Sequence, residues 1–282
     1  MTITEAIILG VIQGLTEFIP VSSTAHLYLA QSLLGISNDA NALSFDIVLH
    51  LGTALALIVV FRRDLVGMVA EFFRWLSRKP AVNAEDRDLI VPIIVGTIPG
   101  VIVGVTLLKK FEEMRSVTII GVSMIAACIY FWLAERIGTR RAEGASMHAD
   151  AGRENVTWVD ALWVGIAQGA AGLFAGFSRS GFTISTGRLR GLSRERATRF
   201  SFLLALVIIL GAGAKTMLDL HKHPQAALPP MLLAAGFISS AVVGFFTVVF
   251  LLRYLRAHTL RPFGIYLAIL GIVLIASRYF VH

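Results

Sequence analysis

Residues 13–26 read Gln13-Gly-Leu-Thr-Glu17-Phe-Ile-Pro20-Val-Ser22-Ser23-Thr24-Ala-His26, and they close an apolar run that begins near residue 3. A carboxylate inside an apolar run is costly to bury and marks a functional position by default. Gln13 and Glu17 are four residues apart, so they share one face of a helix. Pro20 ends that helix. Ser22, Ser23 and Thr24 then open a second short helical stretch over 24–34, where hydroxyls and unused N–H groups can hold an anion. Capping uses the same geometry, so these hydroxyls also satisfy the freed backbone. Two half-length helices around a polar break predict a re-entrant hairpin over 3–34, which is tolerated at depth only where protein or a watery cavity surrounds it.

The pattern occurs a second time. The apolar run 158–175 ends at Gly176-Phe-Ser178-Arg179-Ser180-Gly181-Phe-Thr183, and a short stretch over 182–191 follows. Here a guanidinium sits among hydroxyls and glycines at a helix start. Arginine is a planar fork suited to two-pronged phosphate contact. Two compatible roles stand open for Arg179: a phosphate clamp, and an ion pair with Glu17 across the two tips.

The rest of the chain is a membrane sequence. Of its 282 residues 56% are hydrophobic and only 15% charged, with a mean hydropathy of +0.76; a soluble domain carries about 25% charged residues. Six runs are long enough to span, at about 44–61, 89–108, 117–134, 200–218, 229–252 and 263–281. The expected fold is therefore an all-α polytopic membrane protein of six spanning helices and two re-entrant hairpins. Met1 to Pro20 lacks a basic leader and a cleavage site, and it carries Glu5 and Glu17, so it is not expected to be a secretory signal. The single Cys128 lies in an apolar stretch and argues for a buried thiol rather than a disulfide or thiolate metal site.

The net charge of +7 is a loop property, and no aromatic-basic surface suggests nucleic acid as a partner. Loops 62–88, 135–157 and 253–262 and the five arginines of 188–199 are expected on the cytoplasmic side, and loops 35–43 and 219–228 outside. Segment 109–116, with Lys109, Lys110 and Arg115, conflicts mildly with that count. The hairpins then enter from opposite sides. Gly10-x-x-Gln13-Gly14 matches Gly165-x-x-Gln168-Gly169 at an offset of 155, which also aligns Ser23 with Ser178. Gly96-x-Ile98 and Val103-Gly104 match Gly236-x-Ile238 and Val243-Gly244. These matches predict inverted halves, approximately 1–134 and 158–282, joined by the cytoplasmic loop 135–157, with a site near the midplane on the broken helices.

The two tips resemble the signatures of the undecaprenyl-diphosphate phosphatases, the bacitracin-resistance family of bacterial inner membranes. One signature is Gln13-Gly-Leu-Thr-Glu17 with Pro20-Val-Ser-Ser-Thr-Ala-His26, and the other is Gly176-Phe-Ser-Arg-Ser-Gly-Phe-Thr-Ile-Ser185. The resemblance extends to Phe45-Asp-Ile-Val-Leu-His50-Leu-Gly52 and Phe200-Ser-Phe-Leu-Leu204. It implies hydrolysis of a polyprenyl diphosphate to the monophosphate, which recycles the lipid carrier for cell-wall synthesis and confers bacitracin resistance. It also implies a multi-pass inner-membrane protein with a site open toward the periplasm. Carried over by motif position, Glu17 and Ser23 are the central catalytic pair, His26 assists and Arg179 holds phosphate; the hydroxyls beside them, Thr24, Ser178, Ser180 and Thr183, are the further candidate phosphate ligands. Gln13 and Glu17 are the candidate ligands for a divalent cation, Mg or Ca; no organic cofactor is expected. The expected partners are the prenyl diphosphate lipid and the bilayer; a homodimer is compatible with the sequence, which does not set the oligomeric state.

The chain departs from the family pattern at several points. Gln13 stands where many members have Glu, Ala25 where Gly is common, Ala175 and Val207 where Pro is common, and Phe182 where a small residue is common. Phe182 is expected to narrow the phosphate pocket. The mechanism expected from the residues is attack by Ser23 on the terminal phosphorus with Glu17 as base. A water activated by Glu17 and a divalent ion is the alternative. The rival class is a lipid flippase or transporter, since inverted repeats with broken helices also build carriers.

Overall fold

The protein is described here as a computed structural model of residues 1–37, 40–107, 116–143, 152–222 and 228–280. Among these residues there are eleven helices and no β-strand beyond one isolated bridge between Arg153 and Leu192. In chain order they are α1 (Ile3–Thr16), α2 (Ser23–Leu33), α3 (Ala40–Val60), α4 (Arg62–Leu76), α5 (Ala84–Thr106), α6 (Val117–Glu143), α7 (Trp158–Leu173), α8 (Arg179–Leu189), α9 (Arg194–Lys222), α10 (Pro230–Ala257) and α11 (Arg261–Phe280). Five of them contain stretches long and apolar enough to cross a bilayer: Ala42–Val60, Ala84–Thr106, Val117–Gly138, Arg194–Thr216 and Pro230–Ala257. The chain is an all-α, multi-pass membrane protein. Helices α1 and α11 are apolar but shorter over their described side chains. Segment 109–115, which conflicted with the loop charges, lies outside the described residues.

Each tip is a break between two short helices, as the proline and the glycines dictate. α1 is opened by a capping box in which Thr2 and Glu5 exchange hydrogen bonds, and α7 by the same device between Thr157 and Asp160. α1 packs along α10, and α7 packs along α5. Both contacts are made at glycines. A methyl group on Gly10 would strike Ser239 and the Gly236 carbonyl, and one on Gly14 would lie 2.8 Å from the Gly244 nitrogen and from Val243 Cβ. On the other side, a methyl on Gly165 would strike the Gly96 backbone, and one on Gly169 would lie 2.9 Å from Val103 Cγ2. The residues that match between the halves thus touch each other's matched partners: Gly10 with Gly236 as Gly165 with Gly96, and Gly14 with Val243 as Gly169 with Val103. Close backbone approach of this kind is how membrane helices associate when no hydrophobic drive exists between them.

Two stretches expected as loops are structured differently. Residues 62–76 of loop 62–88 form α4, which is separated from the end of α3 by Phe61 alone. Residues 135–143 of loop 135–157 continue α6. The five arginines of 188–199 are not a solvated run either. α8 and α9 are joined by only four residues, and Arg188, Arg194 and Arg196 are buried. Carboxylates from four other helices meet the segment: Arg190 pairs with Asp160, Arg194 with Glu135, Arg196 with Glu85, and Arg199 with Asp64. Glu135 also accepts from the Leu260 amide at 3.0 Å. A buried guanidinium is tolerable only when paired in this way.

Glycine packing generates a contrast that can be measured. Gly165→Ala meets backbone atoms of Gly96 that cannot yield, and should destabilise the purified protein by about 1–3 kcal/mol. Gly172→Ala, in the same helix with nothing near its added methyl, should be neutral or stabilise by up to about 1 kcal/mol. Thermal unfolding midpoints of the two variants in one detergent check both signs.

Candidate active site

The two tips meet, and Glu17 is where they do so. It lies at the C-cap of α1 with its side chain 2% exposed. Its Oε1 accepts from Arg179 Nη2, on the first turn of α8. Its Oε2 accepts from Ser23 Oγ at 2.6 Å and from Gln13 Nε2 at 2.9 Å. The helical spacing of Gln13 and Glu17 is what places amide and carboxylate together. The chain reverses between Glu17 and Ser23 through Ser22, which sits at φ 69°. A left-handed backbone is uncommon at a residue other than glycine and is held only where surroundings over-determine it. Here the Ser22 hydroxyl donates to the Ala175 carbonyl in the other tip. Two contacts, Ser22 to Ala175 and Arg179 to Glu17, therefore lock one tip against the other.

The remaining expected residues divide. Ser178 caps α8, accepting from Gly181 N at 3.3 Å and bonding Ser180 Oγ at 3.1 Å. Both serines are buried beside Arg179 at the helix start. Thr24 is half-buried at the N-terminus of α2, where the first amides of a helix have no partner within it. Thr183 turns away: its hydroxyl bonds the Arg179 and Ser180 carbonyls and Ser201 of α9, and it is 1% exposed. His26 is on the return helix as expected, but its ring is directed elsewhere than Ser23. Nδ1 meets the Ser22 carbonyl at 2.8 Å, so Nδ1 carries the proton. Nε2 then accepts from the Tyr266 hydroxyl of α11 at 2.7 Å, with the two rings stacked 5.7 Å apart.

Two residues join the site that carried no assigned role. His50 Nε2 of α3 lies 3.4 Å from Glu17 Oε2, and its Nδ1 donates to the Asp46 carbonyl at 2.7 Å. An ionisable residue inside span 44–61 was the available signal for it. Tyr266 had none, because only the tertiary arrangement brings α11 beside α2. The departure at Phe182 also resolves. Its ring stacks 4.5 Å from Phe177 and 4.5 Å from Tyr130. With Ser178 as cap, Phe177 and Phe182 occupy the positions of a hydrophobic staple that fixes how the chain enters α8. Phe182 thus braces the tip that presents Arg179.

For a divalent cation the donors are few. Gln13 Oε1 is buried without a hydrogen-bond partner, while both Glu17 oxygens are engaged. No group of three or more His, Cys, Asp or Glu residues is placed to hold a metal ion among the described residues. Mg²⁺ and Ca²⁺ take about six to eight oxygens. The residues present fit a cation shared with a bound phosphate, not one held by protein alone.

An acid–hydroxyl pair on one broken helix, faced by an arginine on another inside a multi-span membrane body, defines a membrane protein built to act on a strongly anionic group. Comparison with known proteins makes this particular. The family described as Bacitracin resistance protein BacA matches residues 6–273, and the chain belongs to that family. It is 39% identical over 265 residues to an undecaprenyl-diphosphatase of Rubrobacter xylanophilus, covering 93% of each chain. It is 40% identical over 278 residues to an undecaprenyl-diphosphatase of Gemmatimonas aurantiaca, with 98% of each chain covered. It is 38% identical over 277 residues to undecaprenyl-diphosphatase 2 of Stutzerimonas stutzeri, again with 98% of each covered.

The lock between the tips should be visible in stability. Arg179→Ala leaves the Glu17 carboxylate buried without a countercharge and should cost about 3–5 kcal/mol. Arg179→Lys restores the charge and should recover most of that loss. Chemical or thermal unfolding of the two variants beside the parent protein measures the difference.

Proposed function

We propose that this protein hydrolyses undecaprenyl diphosphate, or a similar polyprenyl diphosphate, to the monophosphate and inorganic phosphate. The observation that carries the proposal is the Ser23 hydroxyl at 2.6 Å from Glu17 Oε2, with Arg179 on the other oxygen of the same carboxylate. A carrier needs an anion clamp; it does not need a hydroxyl poised on a buried base. Family membership and relatives named undecaprenyl-diphosphatase support the same reading. By it, the enzyme sits in the bacterial inner membrane with its site open toward the periplasm. It recycles the lipid carrier for cell-wall synthesis and confers bacitracin resistance.

The chemistry follows from the residues. Arg179, the free amides at the starts of α2 and α8, Thr24 and Ser180 hold the terminal phosphoryl oxygens. Ser23 Oγ attacks phosphorus as its proton passes to Glu17 Oε2. The bond from phosphorus to the bridging oxygen breaks, and the prenyl monophosphate leaves with the electron pair. Water then cleaves the phosphoserine, and Glu17 returns the proton to Ser23. Gln13 keeps the Glu17 carboxylate aimed at Ser23, and His50 packs beside the same oxygen. His26 and Tyr266, on the more exposed flank, contact the leaving monophosphate. Phosphoryl transfer asks mainly for positioning and charge stabilisation. A divalent cation bound with the diphosphate, through Gln13 Oε1 and Glu17, would add charge neutralisation of the phosphate oxygens.

The full architecture in this proposal has α11 as a sixth span and α1–α2 and α7–α8 as re-entrant hairpins of inverted halves, about 1–134 and 158–282. The matched glycine contacts support it, as does the presence of a helix break in each half. Residue 37 then faces the periplasm and residue 83 the cytoplasm. In a Cys128→Ala background, Ser37→Cys should react with an impermeant thiol reagent on intact cells and Asn83→Cys only after lysis. The reverse pattern overturns the orientation.

Phosphate release from a long-chain prenyl diphosphate by the purified protein tests the activity. Ser23→Ala should lose about 10⁴-fold or more in turnover while still binding the lipid. Ser22→Ala, which loses one hydrogen bond to Ala175, should lose less than about tenfold. Arg179→Lys should stay folded yet lose about 10²–10³-fold, since the fork is gone. Substantial turnover by Ser23→Ala would move the attack to water, and binding without any phosphate release by the parent protein would leave a carrier.

Gln13→Glu addresses the cation. An added carboxylate beside Glu17 should raise activity at limiting Mg²⁺ or Ca²⁺, read as a lower half-saturating concentration of the ion. Equal ion dependence in both proteins removes Gln13 from any such role.

A further inference from the structure

Helix α4 is inside out. Its stripe of Asp64, Gly67, Met68 and Glu71 faces the protein. Asp64 pairs with Arg199 of α9, Gly67 abuts the Asp86 carboxylate of α5, and Glu71, 3% exposed on its side chain, accepts from the Val82 and Asn83 amides at 2.9 and 3.1 Å. The opposite stripe is apolar and open: Val66 is 70% exposed, Val69 56%, Phe73 61% and Leu76 70%, with Trp75 at its edge. The spacing of four and three residues keeps these side chains on one face. A helix in water turns such a face toward the core. This one turns its acids, Asp64 and Glu71, inward and is fastened there.

The helix also has a defined depth. Only Phe61 separates it from the end of α3, a membrane span, so α4 starts where that span leaves the apolar layer. Leu55 and Val59 near the end of α3 are exposed apolar side chains as well. Cations bracket it. Arg62 and Arg63 are exposed at its first turn, and Arg78 and Lys79 at its end. Arg78 holds φ 56°, in the position that closes a helix by bonds from Arg78 N to the Trp75 carbonyl and from Lys79 N to the Arg74 carbonyl. Glycine is the usual occupant of that position.

We infer that α4 is an interfacial helix that lies flat in the leaflet where α3 ends, with Val66, Val69, Phe73 and Leu76 about 5–10 Å into the acyl boundary and Arg62, Arg63, Arg78 and Lys79 on anionic phospholipid headgroups. It is a lipid-binding surface distinct from the candidate active site and does not depend on the phosphatase reading. Segment 62–88 is then a part of the membrane-bound body, through a helix tied to α9 and α5.

The test uses the full chain in vesicles. Phe73→Cys in a Cys128→Ala background carries an environment-sensitive fluorophore, with Asn83→Cys as the second position. The protein is reconstituted in phosphatidylcholine with and without phosphatidylglycerol. At position 73 a spin-labelled lipid bearing its label near the headgroup should quench strongly, one labelled at the chain end weakly, and aqueous iodide hardly at all; position 83 should show the reverse for iodide. Brominated phosphatidylglycerol should quench at position 73 more than brominated phosphatidylcholine. The triple change R62Q/R63Q/R78Q should cut that preference by about fivefold or more. Iodide quenching at position 73 places α4 in water and overturns the inference. Protection from iodide and from every lipid quencher overturns it too, because a second copy or another protein then covers the face. An unaltered lipid preference in the triple variant overturns the headgroup assignment. If labelling at position 73 lowers the unfolding midpoint, Val69→Cys carries the same measurements.

Discussion

Everything polar at the centre of this protein is organised around one buried carboxylate. Glu17 is almost wholly buried, so its charge is met by protein groups. Arg179 supplies the countercharge, and Ser23 and Gln13 supply hydrogen bonds. Gln13 and Ser23 are local, but Arg179 lies 162 residues further along the chain, which means that two broken helices must meet tip to tip. The left-handed turn at Ser22 and the cap at Ser178 are local consequences of that meeting. The same arrangement that satisfies the charge leaves a hydroxyl on a base and a guanidinium beside two helix starts, so the structural requirement and the proposed chemistry share their atoms.

For the tips to meet, the helices that carry them must approach their supports closely. Gly10 and Gly14 let α1 lie against α10, and Gly165 and Gly169 let α7 lie against α5. In an apolar medium such contact, not hydrophobic exclusion, holds helices together. The asymmetry lies in the chemistry. Gln168 occupies the place of Gln13 in the second hairpin, but the position four residues on is Gly172 where the first hairpin has Glu17, and neither polar atom of the buried Gln168 amide finds a partner. One half supplies the acid and hydroxyl, and the other supplies the arginine.

Charge is handled differently at the end of the molecule where α8 meets α9. The arginines of the 188–199 segment draw in Asp160, Glu135, Glu85 and Asp64 from α7, α6, α5 and α4. This gathers five helices at one level and anchors α4 by its polar face. The exposed apolar face this leaves on α4 is the one inferred to lie against lipid.

What the sequence by itself determined was the class and the site's central members. Apolar length and sparse charge are additive properties, so the membrane fold could be read directly, and the tips were marked by an acid, a proline and hydroxyls inside apolar runs. The pairing of Gln13 with Glu17 followed from helical spacing alone. Tertiary structure decided what spacing cannot express. It turned the ring of His26 to Tyr266, it brought His50 onto Glu17, and it folded Thr183 back onto α9. It stacked Phe182 on Phe177 and Tyr130, it paired the arginines of 188–199 with acids of four other helices, and it made residues 62–76 a helix with its apolar face exposed. The physical reason is common to all of these. A rotamer, an ion-pair partner and the outward face of a helix are set by neighbours remote in the chain, and those neighbours exist only once the helices have packed.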